Sequence, residues 1–201
     1  MLIGETKGYD SDVLSLAKSS SLHNGLKSYY IVLVKDKDGR ILDYRDGGLR
    51  SLTGYFLWLV ANIFDLYDYG FYYPGINPLF YCGCNYTVTN GSYSIVLGSG
   101  SQTFSPNINK LAAPIPGASI NPSITYNITS SGIPQIIFYG EYANNSSSPI
   151  TVSEFGLQLT TKYCSSNITL SPLLTYDTLS QPVNVPVGGS ISVAIVINLT
   201  G

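Results

Sequence analysis

Charge is scarce in this 201-residue chain: Asp, Glu, Lys and Arg together make up 11% of it, against about 25% in ordinary soluble proteins. The net charge is −2 and no basic stripe is present, which excludes electrostatic capture of nucleic acid. Histidine occurs once, as His23, in a stretch that reads as an arm, so the general base required by a Ser-His or Cys-His dyad is missing. Cysteine occurs three times, at Cys82, Cys84 and Cys164, and an odd count permits at most one intramolecular disulfide, from Cys164 to either member of the Cys82/Cys84 pair. Three sulfurs and a distant histidine lack the paired spacing of a structural zinc site. Outside the first 70 residues the acids are Glu141, Glu154 and Asp177; solitary acids on strands do not read as the carboxylate pair of a glycoside hydrolase. The expectation is a protein without catalysis, cofactor or metal.

Long apolar runs are also missing. Ser51 to Phe64 is free of charge, but fourteen residues cover only about 21 Å as a helix, short of a roughly 30 Å hydrocarbon core. A buried helix is expected there, and no membrane span. Met1-Leu2-Ile3-Gly4-Glu5 has neither a basic start nor an apolar run that engages export machinery.

What the chain does have is an uneven distribution of polarity. Residues 1–70 hold eight of the ten Lys/Arg and nine of the twelve Asp/Glu, so the surface of the remainder must be built from Ser, Thr, Asn, Gln, Tyr and Gly. A neutral polar skin suits an exterior setting, glycosylated or packed against neighbouring subunits, better than a crowded cytosol. Asn-x-Ser/Thr acceptors occur at Asn85, Asn90, Asn127, Asn144, Asn145, Asn167 and Asn198, and acceptors need exposed loops.

Periodicity predicts the elements. Residues 1–24 read as a flexible or partner-ordered arm. Tyr29 to Val34 and Ile41 to Tyr44 form a hairpin around the turn Lys35-Asp36-Lys37-Asp38-Gly39-Arg40, and Gly47-Gly48 breaks the pattern. From Leu49 to Leu66, apolar residues at spacings of three and four predict a helix. Residues 67–86 are an aromatic segment that suits a packed loop, a subunit interface or a sugar platform. Beyond it, short apolar runs at 93–97, 124–128, 135–139, 150–159, 173–176 and 183–199 are separated by turn residues, which predicts an antiparallel β-sandwich or jelly roll. In the last run Ile191, Val193, Ile195, Ile197 and Leu199 occupy one face and Ser190, Ser192 and Asn198 the other, the mark of a strand at a sandwich edge. Gly188-Gly189 reads as the turn of a hairpin joining it to residues 181–186. The division is a 1–48 arm with hairpin and a 49–201 helix with sandwich. Gly98-Ser99-Gly100 reads as a turn, since no helix with Lys-Ser/Thr follows it. Glu154, beside Phe155-Gly156, is expected to accept backbone N–H bonds at a corner.

The order Ile95-Val96-Leu97-Gly98-Ser99-Gly100, Leu111, Thr151-Val152-Ser153-Glu154-Phe155-Gly156-Leu157, Leu173 to Asp177 and Pro186-Val187-Gly188-Gly189 resembles tail-associated and minor structural proteins of phages and archaeal viruses. It is most similar to tail or nozzle components of the spindle-shaped archaeal viruses, the fuselloviruses. The resemblance spans 49–201; the charged arm and Cys82-Gly83-Cys84 fall outside its pattern. It implies a virion protein, built into a homo-oligomeric ring or spike with other virion proteins and aiding host attachment through surface glycans. The alternative is a monomeric cell-surface carbohydrate-binding module that uses the tyrosines of 67–86.

Overall fold

The computed structural model describes residues 11–18, 28–49, 52, 53, 56, 92–105, 107–162 and 169–199. One helix, α1 (Ser11–Lys18), precedes ten strands: β1 (Ser28–Lys35), β2 (Ile41–Gly48), β3 (Ser92–Gly98), β4 (Pro114–Ile120), β5 (Ser123–Ile128), β6 (Pro134–Ala143), β7 (Ile150–Lys162), β8 (Thr169–Leu170), β9 (Asp177–Val185) and β10 (Ser190–Asn198). They form two antiparallel sheets. The first has the order β2-β1-β10-β6-β5; the second has the order β4-β3-β7-β8, with β9 also on β7. The protein is a mainly β, antiparallel β-sandwich.

Residues of alternate parity meet between the sheets. Tyr30, Val32 and Val34 of β1, Ile191, Val193, Ile195 and Ile197 of β10 and Phe138 of β6 pack against Ile95 and Leu97 of β3, Phe155, Leu157 and Leu159 of β7, and Val183 and Val185 of β9. Such side chains each contribute roughly 1.5–3 kcal/mol when fully buried. The Tyr30 and Phe155 rings meet edge to face, 5.0 Å between centroids, a favoured aromatic geometry.

The outer face of the first sheet is covered as well. Val13 and Ala17 of α1 pack on Tyr29, Ile31, Leu33, Ile137, Ala194 and Val196, and the Tyr29 hydroxyl donates to the Ala17 carbonyl at 2.6 Å. This corrects two expectations. Residues 11–18 are not an arm but the third layer of the fold, and β10 is not an edge but the central strand, buried from Ser190 to Ile197. Ala194 and Val196 fill the face that a half-wet strand would leave polar, and the small Ser190 and Ser192 fit beneath the covering layer.

Two other expectations about glycine pairs change. Gly47 and Gly48 belong to β2, where Gly47 lies against the Tyr30 ring; a Cβ there would sit 2.8 Å from the Tyr30 hydroxyl. Gly188-Gly189 does not close a hairpin, because β9 pairs with β7 and β10 pairs with β1 and β6. Gly188, at φ +73°, turns the chain from one sheet to the other. β1 pairs with β10 along eight residues, so the sheet runs across the 48/49 division and the hairpin of the 1–48 part shares the core of the sandwich.

The first hairpin turns on Asp36, whose carboxylate accepts the N–H groups of Asp38 and Arg40, both at 2.9 Å, with Gly39 at φ +80°. β4 was not foreseen: Pro114, Pro116 and Gly117 disguise it, and its one-sided pairing with β3 tolerates them. The 173–176 run forms isolated bridges, Leu173 to Gln158 and Thr175 to Leu52. Of the helix expected from Leu49 to Leu66, most lies outside the described residues. Leu52 bridges Thr175, and Thr53 is fully buried, its hydroxyl on the Leu173 carbonyl at 2.5 Å.

Candidate functional site

The buried polar centre of the sandwich is Glu154. A register shift in β7 between Val152 and Glu154 breaks the alternation, so that Val152 faces the core, then Phe155, Leu157 and Leu159 do, while Glu154 turns to the outer face. There the 99–113 loop closes over it. The carboxylate accepts N–H bonds from Ala113 at 2.7 Å, Ala112 at 3.1 Å and Gly100 at 3.3 Å, and the Tyr176 hydroxyl lies 3.1 Å from Oε2. Glu154 is 0% exposed. No cation pairs with it among the described residues, so these donors supply its solvation.

Glycines make room for this carboxylate. A Cβ on Gly98 would lie 2.5 Å from Glu154 Oε1, and one on Gly100 2.8 Å from it. Gly156 lets the 173–175 segment approach, for its Cβ would meet the Thr175 carbonyl at 2.5 Å. Gly98, Gly100, Glu154 and Gly156 therefore form one corner, sealed by Ile108, Leu111, Leu173 and Tyr176. Burial, with the Glu154 charge adding to it, raises the Tyr176 hydroxyl pKa to about 12, against a bond from the Gln102 backbone that lowers it. A carboxylate held by three backbone N–H groups and a tyrosine hydroxyl fixes the loop that supplies them.

A second polar node sits where two crossovers between the sheets run side by side. Asn144 is 0% exposed. Its amide nitrogen donates to the carbonyls of Ser148 and Val185 at 3.0 Å and of Pro186 at 3.2 Å, and its oxygen accepts from the Ser146 hydroxyl at 2.6 Å. Its backbone N–H and carbonyl bond Gly189 and Gly188. Asn144, expected as a glycan acceptor, is in the fold the tie between the β6–β7 and β9–β10 connections, its amide nitrogen buried against three carbonyls.

The other expected acceptors separate by environment. Asn127 and Asn198 flank Gln135 on neighbouring strands: Asn127 donates to Gln135 Oε1 at 2.7 Å, and Gln135 donates to Asn198 Oδ1 at 2.9 Å. That places both in a half-buried amide rung across β5, β6 and β10, not on loops. Asn145 is exposed, on the loop after β6. Asn85, Asn90 and Asn167, the thiols of Cys82, Cys84 and Cys164, His23 and the aromatic segment of 67–86 lie outside the described residues.

An open depression of about 430 Å³ lies between the start of α1 and the β1–β2 turn, lined by Asp12, Lys35, Lys37, Glu141 and the Gly188-Gly189 turn. Lys35 pairs with Asp12 at 2.8 Å. The depression thus carries charges of both signs on an open rim. Among the described residues, no group of three or more His, Cys, Asp or Glu is placed to hold a metal ion, and no helix is long and apolar enough to cross a membrane. The Asn144 node and the Gln135 rung escaped the sequence reading, since nothing in an Asn-Asn-Ser-Ser run separates a buried tie from an exposed acceptor.

No family model, no curated protein and no solved structure matches this chain.

Proposed function

We propose that this protein is a non-enzymatic building block of a particle, a tail, nozzle or adaptor-ring component of a virion that aids assembly and host attachment. The observation that carries the reading is where the acids of the sandwich go. Glu154 is consumed by three backbone N–H groups, and Asp177, 3% exposed, accepts the Thr178 N–H at 2.9 Å. Polar side chains in this domain hold connections in place: Glu154 fixes the 99–113 loop, Asn144 the two crossovers, Asp36 the first hairpin. The charge-poor exterior between Lys110 and Glu141, where no charged residue occurs, supports a surface that is covered by neighbours.

Quantitative mass spectrometry of particles purified from cells that express the chain tests the proposal. The expected result is a fixed stoichiometry of many copies per particle. Absence from particles, with the protein soluble in the host as single copies, refutes it.

A further inference from the structure

Among the described residues, each sheet edge of the sandwich but one carries a feature that blocks pairing with another strand. β2 bears Asp43, Arg45 and Asp46, with a bulge opposite its start. β4 bears Pro114, Pro116 and Gly117 at φ +73°. On the far side of β7, β8 is two residues long and β9 carries Pro182. Charges, prolines, bulges and short strands are the usual means of keeping an edge from adding strands. β5, Ser-Ile-Thr-Tyr-Asn-Ile, has none of them, and its Ile124, Tyr126 and Ile128, which share a face with Phe138 and Ile136, are 42%, 77% and 71% exposed.

The hydrogen-bonding phase of β5 points the same way. The Thr129 N–H donates to the Ile133 carbonyl at 2.9 Å, which makes that a bonded pair. Bonded and non-bonded pairs alternate in an antiparallel ladder, so Ile128–Pro134, Tyr126–Ile136 and Ile124–Phe138, the partners in register, are non-bonded pairs. Pro134 agrees: it has no N–H, and its carbonyl accepts the Leu199 N–H from the opposite side. The backbone N–H and C=O groups of Ile124, Tyr126 and Ile128 therefore point away from β6, along the open edge. The same three residues present both the exposed side chains and the outward backbone groups.

We propose that β5 is a self-pairing edge at which two copies of this chain join antiparallel about a twofold axis through Tyr126, making one continuous ten-stranded sheet. The occupant is a second copy because the strand is its own complement. With Tyr126 opposite Tyr126, Ile124 falls opposite Ile128 of the other copy and Thr125 opposite Asn127. All three outward residues then become bonded pairs, with about six intermolecular N–H···O bonds, and apolar side chains meet apolar side chains on one face. No charge lies between Lys110 and Glu141 to oppose the approach. The exposed strip amounts to roughly 400 Å² per copy, taking a large aromatic side chain as 150–250 Å². A dimer burying roughly twice that falls below the 1,200–2,000 Å² of stable complexes, so this contact is weak alone and strengthens where copies are held together in an assembly. The inference deepens the particle reading above by naming one contact surface.

The test uses the full chain. Sedimentation velocity over a concentration series is expected to show a monomer–dimer equilibrium, and Tyr126→Lys, which sets two lysines face to face, is expected to raise its dissociation constant at least roughly 30-fold, the loss typical of a central tyrosine anchor. Tyr126→Cys is expected to form an intermolecular disulfide under mild oxidation, since bonded pairs stand about 5.5 Å apart between Cα atoms, within disulfide reach; peptide mapping locates the link between the two introduced thiols. Thr125→Cys, not opposite itself in this register, is expected to give no such link. Circular dichroism identifies any variant that fails to fold, and the cross-linking arm then decides. Oligomers whose size ignores Tyr126→Lys, with no link in Tyr126→Cys, overturn the β5 contact. If another segment of this chain or an unlike protein fills the edge, the protein stays monomeric without a link, which overturns it too. Either failure leaves the particle reading to its own test, the protein content of purified particles.

Discussion

Replacing Glu154 by Gln sets two opposing effects against each other, and the structure decides the sign. The carboxylate is fully buried without a cation among the described residues, and removing a buried charge relieves a desolvation cost of several kcal/mol. Against that stand the N–H donors of Ala112, Ala113 and Gly100 and the Tyr176 hydroxyl. Gln keeps one acceptor oxygen and turns the other into an NH₂ group that faces donors. With the amide oxygen toward Ala113 and Gly100, the NH₂ confronts the Ala112 N–H and strands it, at about 1–3 kcal/mol; the surviving bonds fall from roughly 1.5–3 to 0.5–1.5 kcal/mol each. Bond loss outweighs the relief because the charge was already solvated by preorganised donors. The expected net loss is about 2–3 kcal/mol for Glu154→Gln and about 4–6 for Glu154→Ala, which strands all three N–H groups in a cavity. In a domain of this size each kcal/mol lowers Tm by about 2–4 °C, so calorimetry should read a drop of roughly 4–12 °C for Gln and more for Ala. Glu141→Gln, at an exposed position, should stay within about 0.5 kcal/mol of the parent. A Glu154→Gln protein as stable as the parent, or more so, refutes the argument and makes the corner a liability of charge burial.

Three other perturbations follow from the same structure. Asn144→Asp replaces an amide donor by a carboxylate aimed at the carbonyls of Val185 and Pro186, and urea denaturation should show a loss of about 3 kcal/mol or an unfolded chain. Val13→Asp puts a charge against Ile31 and Val196 beneath α1 and should destabilise the whole sandwich by about 3 kcal/mol or more; if only α1 is released, with the unfolding midpoint unchanged, the third layer is dispensable. Stability should fall in alkali: Tyr176 titrates at about 12 in the fold against an ordinary value near 10, so the unfolded chain loses this proton first. The contribution is complete below pH 10 and disappears between pH 10 and 12, at up to about 1.4 kcal/mol per pH unit, which denaturation midpoints across that window measure.

The strands that were legible in sequence are those in which composition and periodicity agree. Tyr29 to Val34, with Asp36 and Gly39 after it, could only be a strand and a tight turn, and the runs around Ile95, Phe138 and Leu157 had no helical period to compete. Glu154 was legible through scarcity, a lone acid two residues before a glycine in a charge-poor region. Its three donors were not, because they come from a loop some forty to fifty residues upstream.

Pairing partners and covered faces were settled by tertiary structure alone. Local alternation says that one face of β10 is apolar, but whether the other is wet depends on a helix some 180 residues away that happens to lay Val13 and Ala17 on it. The Gly188-Gly189 turn has the chemistry of a hairpin, yet the chain crosses to the opposite sheet there, since β9 pairs with β7 while β1 and β6 flank β10. By itself the sequence determined that this is a sandwich of short antiparallel strands with an uncharged exterior, since period and composition are local properties. Which strand is central, which asparagine is buried and which edge stays open were decided only in three dimensions, where burial depends on neighbours brought in from far along the chain.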